Sequence, residues 1–559
     1  MSTNNAPERS PGSARTTPTA RTAADLVLFG GTVLTHDPDR PRVGAVAVAG
    51  DSILDVGDDA AMLALAAPDA QLINLGGRAA LPGFIETHTH PYFYGSKLDA
   101  AVDAATRPGE RLGDLVERIR EGVRHVPAGE WIVAQGYDDT LLAEGRHPTL
   151  ADLDPVSPNH PVVLHHVSGH ICVVNSVALR AAGFADASAD PPGGLIGRDE
   201  HGRANGVLYE AAAFAVNRCV PPPDTESIQR RLRLAGEAFL AAGITCVHDA
   251  AIGGVGGTAE LDQYRLAQDA GRLRTRVRGY LFHPRWSRLI PDRLTPDDFT
   301  GPNPDLLRVV GVKIVADGSI QARTARLTGG YHPVCAEDGV LLLPPRQLTE
   351  TVRALSELGW QVAVHGNGDG AIDAILDAFE GPAGADNPLR HRIEHCQTVR
   401  DDQLDRIARH RILVSFFIKH VHYWGDRHRD LFLGPQRAAR ISPLAGADAR
   451  GITFALHSDA PVTPPPPLEG IWCAATRRTS GGAVLGADQT VPVGRALRGY
   501  TSDAAYFSFD EDRLGRLRPG YLADIAVLSA DPSAGDPMSV RDIGVDTTIV
   551  GGQVAYQRR

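Results

Sequence analysis

Two histidines one residue apart, His88 and His90, end an apolar, β-prone run that begins Leu81-Pro-Gly-Phe-Ile-Glu. In a strand, residues i and i+2 point to the same face, so both imidazoles can turn to one metal ion. Gly83 permits close approach of the chain, and Pro91, unable to donate to a sheet ladder, marks the end of the strand. Alone, the pair is also what chance leaves on a wet strand end among 21 histidines. Other metal-competent residues recur, however, at corresponding places. His365 and His395 end two later apolar runs, Asp459 follows a third, and Lys313 lies in a fourth, just before Asp317-Gly-Ser319. A lysine joins such a set only if its amine is carbamylated to a carboxylate that reaches two ions; its alternative is an ion pair with Asp317. Only three of the 56 basic residues are lysine (Lys97, Lys313, Lys419), and arginine, which has replaced it elsewhere, cannot form that adduct.

The elements that must position these groups follow from the spacing of the runs. After the first, strand-like segments fall at 244–249, 276–282, 309–315, 361–365, 391–395, 411–417 and 452–457. Between them lie helical stretches such as 227–242, 259–270, 348–358 and 401–409. Eight β-runs with helical crossovers close naturally as a (β/α)8 TIM barrel, whose active sites sit at the C-terminal strand ends. The gap after the first run is too long for one loop and predicts an inserted subdomain, 92–225, beside the mouth. Short strands punctuated by Gly-Gly and Gly-Asp turns at 24–80 recur in style at 511–559, which predicts a small β-sandwich built from both chain ends around a barrel at 81–510. Residues 1–23, rich in Ser, Thr, Pro, Ala and Arg, read as a disordered tail, with only a faint likeness to an organelle transit peptide.

Composition excludes several classes. A net charge of −11 over 559 residues lacks the basic face that a nucleic-acid or anionic-membrane partner requires. No apolar run approaches a membrane span. The six cysteines are dispersed with no Cys-x-x-Cys pair, which fits reduced thiols in a cytoplasmic protein.

Taken in order, Leu81-Pro-Gly-Phe-Ile-Glu-Thr-His-Thr-His, Val312-Lys-Ile-Val-Ala-Asp-Gly-Ser, Val364-His-Gly-Asn-Gly-Asp, Arg392-Ile-Glu-His, His457-Ser-Asp-Ala-Pro and Leu517-Arg-Pro-Gly-Tyr-Leu-Ala-Asp-Ile resemble the amidohydrolase superfamily. Within it, the resemblance is to the YtcJ-like branch that includes N-substituted formamide deformylases, and it covers nearly everything from Asp25 onward. It implies that His88, His90, Lys313 and Asp459 hold one divalent metal and that Lys313, His365 and His395 hold a second, Lys313 being carbamylated. It points to a homodimer, and to a small amide as substrate. A divalent ion lowers the pKa of bound water from about 15.7 to near 7, so hydroxide becomes the nucleophile. Asp459 is placed to take the proton and return it to the leaving nitrogen. Imidazole with a little carboxylate suits Zn2+, with manganese, iron and cobalt open and one ion instead of two still workable. A cyclic amide, carbamate or ester hydrolase shares this site, and a non-catalytic barrel is the rival from another class.

Further contacts are expected around the mouth. His170, in a segment that reads as a loop entering a helix, is where the family places a histidine facing the substrate; its other reading is a helix-capping loop residue. Tyr137 lies at a strand exit expected to line the mouth. The run from Phe416 to His428, dense in aromatic and polar groups, offers His420 and Trp424 as specificity contacts. Arg323 anchors a carboxylate or holds its own loop. Pro464 to Pro467 read as a stiff rim without chemistry, and Lys97 and Lys419 as solvated surface residues.

Overall fold

A run such as Val309-Val-Gly-Val-Lys-Ile-Val has no alternating polar face, and a strand of that kind is stable only with both faces covered. The computed structural model meets this requirement with a parallel barrel ringed by helices. It describes residues 23–559 other than 101, 125, 128, 255, 256, 258, 284–293, 300 and 334–337; Cys335 and residues 1–22 of the expected tail lie outside the described residues.

The eight barrel strands are Phe84–Thr89, Ile244–Ile252, Arg276–Phe282, Leu307–Val315, Gln361–Gly366, Arg392–His395, Leu413–Phe416 and Phe454–Leu456. They form one sheet in sequence order, each parallel to the next. At the mouth the first and last are tied by the backbone: Asp459 N–H donates to the His88 carbonyl (3.1 Å) and His90 N–H to that of Ala460 (3.0 Å). Amphipathic helices cover the outside, among them Thr225–Ala241, Pro345–Glu357, Asp369–Ala383 and Asp401–Arg409. Their apolar stripes, for example Leu348, Val352 and Leu355, join the strand residues in one large buried core.

Strands from both chain ends share a six-stranded sheet in which Ala79–Pro82 pairs antiparallel with Ile525–Leu528. A four-stranded sheet from the N-terminal segment stacks on it through Leu26, Val46, Val48, Ile525 and Val527. Between the first two barrel strands stands a further six-stranded sheet, with its own core of Leu115, Ile119, Ala134, Leu164 and Val173. Here the sequence expectation needs correction. His170 is followed not by a helix but by the strand Ile171–Val174, and the helix starts only at Ser176. Ile171, Val173 and Val174 are β-branched and, with Cys172, fully buried, so sheet pairing wins over the helix that follows.

Lys419 also departs from expectation. It is completely buried, donating to the carbonyls of Pro464 (2.6 Å) and Pro466 (2.9 Å) and lying 3.1 Å from Glu469 Oε2. Three acceptors thus meet the three donors of one ammonium group, and the proline rim is held from beneath. Lys97 is half-buried, with Nζ on the Pro461 carbonyl (3.2 Å). Neither is a solvated surface lysine.

Candidate metal centre

His88, His90 and Asp459 come together at the C-terminal mouth of the barrel. One ligand atom from each lies within 4.8 Å of the others. His90 Nε2 stands 3.1 Å from Asp459 Oδ1 and His88 Nε2 3.6 Å from the same oxygen. At 3.1 Å a hydrogen bond would be expected, yet Asp459 Oδ1 has no aligned hydrogen-bond partner, and neither has buried His90 Nδ1. Close polar atoms that fail to align as donor and acceptor are what ligands of a common cation look like, and the donor set suits a divalent metal. Burial opposes ionisation of Asp459, but His88 and His90 outweigh it and hold the carboxyl far below its usual range. Burial likewise keeps His88, His365 and His395 well below the ordinary histidine pKa, and so neutral, as ligation requires.

The elements explain this geometry. His88 is locked from behind by Glu394, whose Oε2 accepts from Nδ1 at 2.6 Å, leaving Nε2 for the mouth. Glu394 is paired in turn with buried Arg392 two residues earlier on the same strand face. Asp459 and His395 both adopt left-handed backbone, at φ 54° and 68°, a costly conformation for non-glycine residues that clusters at functional sites.

The second expected set is assembled differently. The rings of His365 and His395 are 4.5 Å apart, and that of His395 is 4.7 Å from that of His88. Lys313 Nζ is 3.3 Å from His88 Nε2. But His365 Nε2 is 3.1 Å from the Gly318 carbonyl and 2.9 Å from Asn367 Nδ2, and His395 Nδ1 faces His457 Nε2 at 3.0 Å. Asp317 is not the partner of Lys313: its oxygens accept from the backbone N–H groups of Arg326, Asn367 and Gly368. Burial pushes the Lys313 pKa down to about 8.

The cleft above these groups, roughly 250 Å³ including its opening, is walled by His170, Gln321, Asn367, Gln397, Phe417 and His420. His170 gives its Nδ1 to Glu210 (2.9 Å); burial disfavours its charge, but the carboxylate prevails and its pKa is raised. His420 packs 4.3 Å from Phe417 and 4.6 Å from Trp424, ring to ring. The other three expected contacts do not line the cleft. Tyr137 is fully buried in the core of the insertion, its hydroxyl 3.2 Å from His147 Nδ1. Trp424 turns its indole N–H to Asp138 Oδ2 (3.1 Å) and supports His420 from behind. Arg323 donates to the Leu431 carbonyl (3.0 Å) and lies over Tyr331 and Phe432, so it holds its loop. A larger hollow beside Pro464–Pro467, roughly 870 Å³ including its opening, is lined by none of the candidate metal ligands named above. Sequence reasoning missed Glu394 and Glu210. Glu394 has a signal, since it shares a strand face with Arg392 inside a motif already singled out; Glu210 has none.

An eight-stranded parallel barrel with imidazoles and a carboxylate converging at its C-terminal mouth defines a metal-dependent hydrolase. The chain belongs to the amidohydrolase family, whose model matches residues 71–556, and it is a hydrolase of carbon–nitrogen bonds. It is 29% identical over 503 residues to the putative amidohydrolase YtcJ of Bacillus subtilis, covering 88% of this chain and 91% of that one. It is 30% identical over 546 residues to the N-substituted formamide deformylase of Arthrobacter pascens, covering 96% and 98%. Among solved structures it resembles an uncharacterized metal-dependent hydrolase from Pyrococcus furiosus, at 27% identity and a TM-score of 0.70, covering 92% of this chain and 99% of that one. Among the described residues no helix is long and apolar enough to cross a membrane.

Proposed function

We propose that this protein hydrolyses the C–N bond of a small amide of the N-substituted formamide class. The observation that carries the reading is the convergence of His88, His90 and Asp459 with unaligned ligand atoms, beneath a small cleft faced by His170. The similarity to the Arthrobacter deformylase along nearly its whole length supports the substrate class.

The imidazoles of His88 and His90 with the Asp459 carboxylate would hold one divalent ion, zinc by the chemistry of the donors. His365, His395 and a carbamylated Lys313 would complete a site for a second. A pKa near 8 leaves part of the Lys313 amine uncharged near neutrality, able to attack carbon dioxide with loss of a proton. When bound, the metal supplies Lewis acidity, acidifying water and polarising the amide carbonyl. Asp459, ionised and at the floor of the cleft, accepts a proton from the attacking water and delivers it to the departing nitrogen. His170, with Nδ1 held by Glu210 and its pKa raised by that carboxylate, donates from Nε2–H in its protonated form to the carbonyl oxygen. Phe417 and His420 exclude water from one wall. A cytoplasmic setting is supported by the five described cysteines, none of which forms a disulfide.

The test is a panel of N-substituted formamides, cyclic amides, carbamates and esters assayed with metal-reconstituted protein. Preference for formamides is expected. Preference for another class moves the reading to that bond, and no turnover of any class ends it.

A further inference from the structure

We infer that Glu210 is a positioning residue: it fixes which nitrogen of His170 the inserted subdomain presents to the cleft. The inference rests on the functional reading above, in which His170 touches the amide.

A histidine at a loop edge can turn its ring over and move its proton between two nitrogens, and each change alters what it offers a substrate. His170 has been denied that freedom. Glu210 ends the strand Ala204–Glu210 and its N–H donates to the His170 carbonyl (2.9 Å), so the insertion's sheet sets the two residues side by side. Both Glu210 oxygens then lie within 3.1 Å of His170 Nδ1. An ionised carboxylate only accepts, so Nδ1 carries a proton and it is Nε2 that is turned to the cleft, where it donates when the ring is in its imidazolium form.

Two observations show that Glu210 does more than pair with a neighbour. Its Oε1 also accepts from Thr324 Oγ1 (2.6 Å), on the loop after the fourth barrel strand, and that hydroxyl in turn accepts from Ser319 N–H (3.0 Å). The carboxylate therefore links the insertion to the barrel at the cleft wall. Gly318 makes room for the link, since a Cβ there would overlap both Thr324 Oγ1 and Glu210 Oε1. And Glu210 itself stands at φ 50°, ψ −119°, a conformation a glutamate holds only where its surroundings over-determine it. The Asp317-Gly-Ser319 motif thus has a second use, as the seat for a carboxylate brought in from outside the barrel.

A double-mutant cycle on the metal-loaded full chain, with N-phenylformamide as probe, separates positioning from mere support. Glu210→Gln is expected to lower kcat by about 10–100-fold, the usual cost of losing a group that orients a functional histidine. KM and metal content should stay near wild type. In a His170→Ala background the same change should do nothing further, because the two act as one unit. Thr324→Val, which leaves the carboxylate but frees one oxygen, should act in the same direction and more weakly. A downfield proton resonance from Nδ1–H should be present in wild type and absent in both His170→Ala and Glu210→Ala. Wild-type kcat in Glu210→Gln, additive losses in the double variant, or a resonance that survives Glu210→Ala would overturn the inference. If the wild type turns over no amide at all, the functional reading has failed instead, and the resonance, which needs no substrate, still decides the pairing.

Discussion

Two clusters in this molecule hold the same residue types in similar proximity: His88, His90 and Asp459 at the barrel mouth, and Asp138, Asp139 and His166 in the insertion. Their surroundings differ. Asp138 is saturated: Oδ1 accepts from Thr140 N–H and Oγ1, and Oδ2 from the Trp424 indole and Arg427. His166 Nδ1 accepts from Ser168 N–H, and its Nε2 lies 3.2 Å from Asp139 Oδ1 without an aligned hydrogen bond, so unaligned ligand atoms alone do not separate the two clusters. The positive charge that a metal would supply is already there as the Arg427 guanidinium, 2.6 Å from Asp138. At the mouth no arginine among the described residues plays that part: Arg392 is turned to Glu394, behind His88, and the amine of Lys313, 3.3 Å from His88 Nε2, is pushed by burial toward its neutral form. Proximity of ligand-type side chains is therefore a weak sign, and a carboxylate left without a fixed guanidinium a stronger one.

The comparison can be broken or sharpened in three ways. The largest effect is expected from Lys313→Arg, which keeps the charge but cannot be carbamylated. It should lose at least one metal ion and nearly all turnover, and bicarbonate should speed reconstitution of the wild type but not of the variant. Elemental analysis beside activity checks this, and a fully active arginine variant removes the carbamate. Next, Asp459→Asn should cut turnover by roughly 10²–10⁴-fold while preserving the fold. Asp139→Asn in the insertion should leave metal content unchanged; metal lost equally from both variants would erase the distinction between the clusters.

The smallest effect is on stability. Asp138→Asn should cost about 3 kcal/mol, the low end for breaking a buried ion pair, with no change in metal content. Burial works to raise the Asp138 pKa, but Arg427, His166 and Thr140 outweigh it and lower it. A carboxyl depressed in the folded state contributes stability that is complete above its unfolded pKa of about 3.9 and fades as pH falls below it. The difference in thermal midpoint between wild type and Asp138→Asn should thus hold from pH 7 to about 5 and shrink below about 4. A difference that grows on acidification contradicts the pairing.

The barrel and its mouth are legible in the sequence because both rest on local rules. Apolar runs without a polar face must be interior strands, and the residue at the end of each such run must stand at the rim, as His365, His395 and Asp459 do. What is not legible depends on contacts between distant segments. Trp424 and Asp138 are 286 residues apart, so an aromatic in a polar run gives no sign that its indole faces away from the cleft. Tyr137 ends its strand as expected but on the face packed into the insertion's core. Glu210 is invisible for the same reason, since its worth lies in the nitrogen of another residue. Lys419 misleads in the opposite direction: lysine on average is solvated, and nothing local announces that two proline carbonyls will converge on it.

The strand Ala79–Pro82, which runs directly into the barrel's first strand, pairs on one side with Thr32–Leu34 and on the other with Ile525–Leu528. Roughly 440 residues separate it from that second neighbour, and at about 5–20 residues per second the ribosome needs on the order of 20–90 s to make them. For all that time the nascent chain carries an open, apolar β-edge at the root of the His88–His90 strand, a template for wrong pairing. Its vulnerable period is set not by the stability of the finished molecule but by the pace of translation.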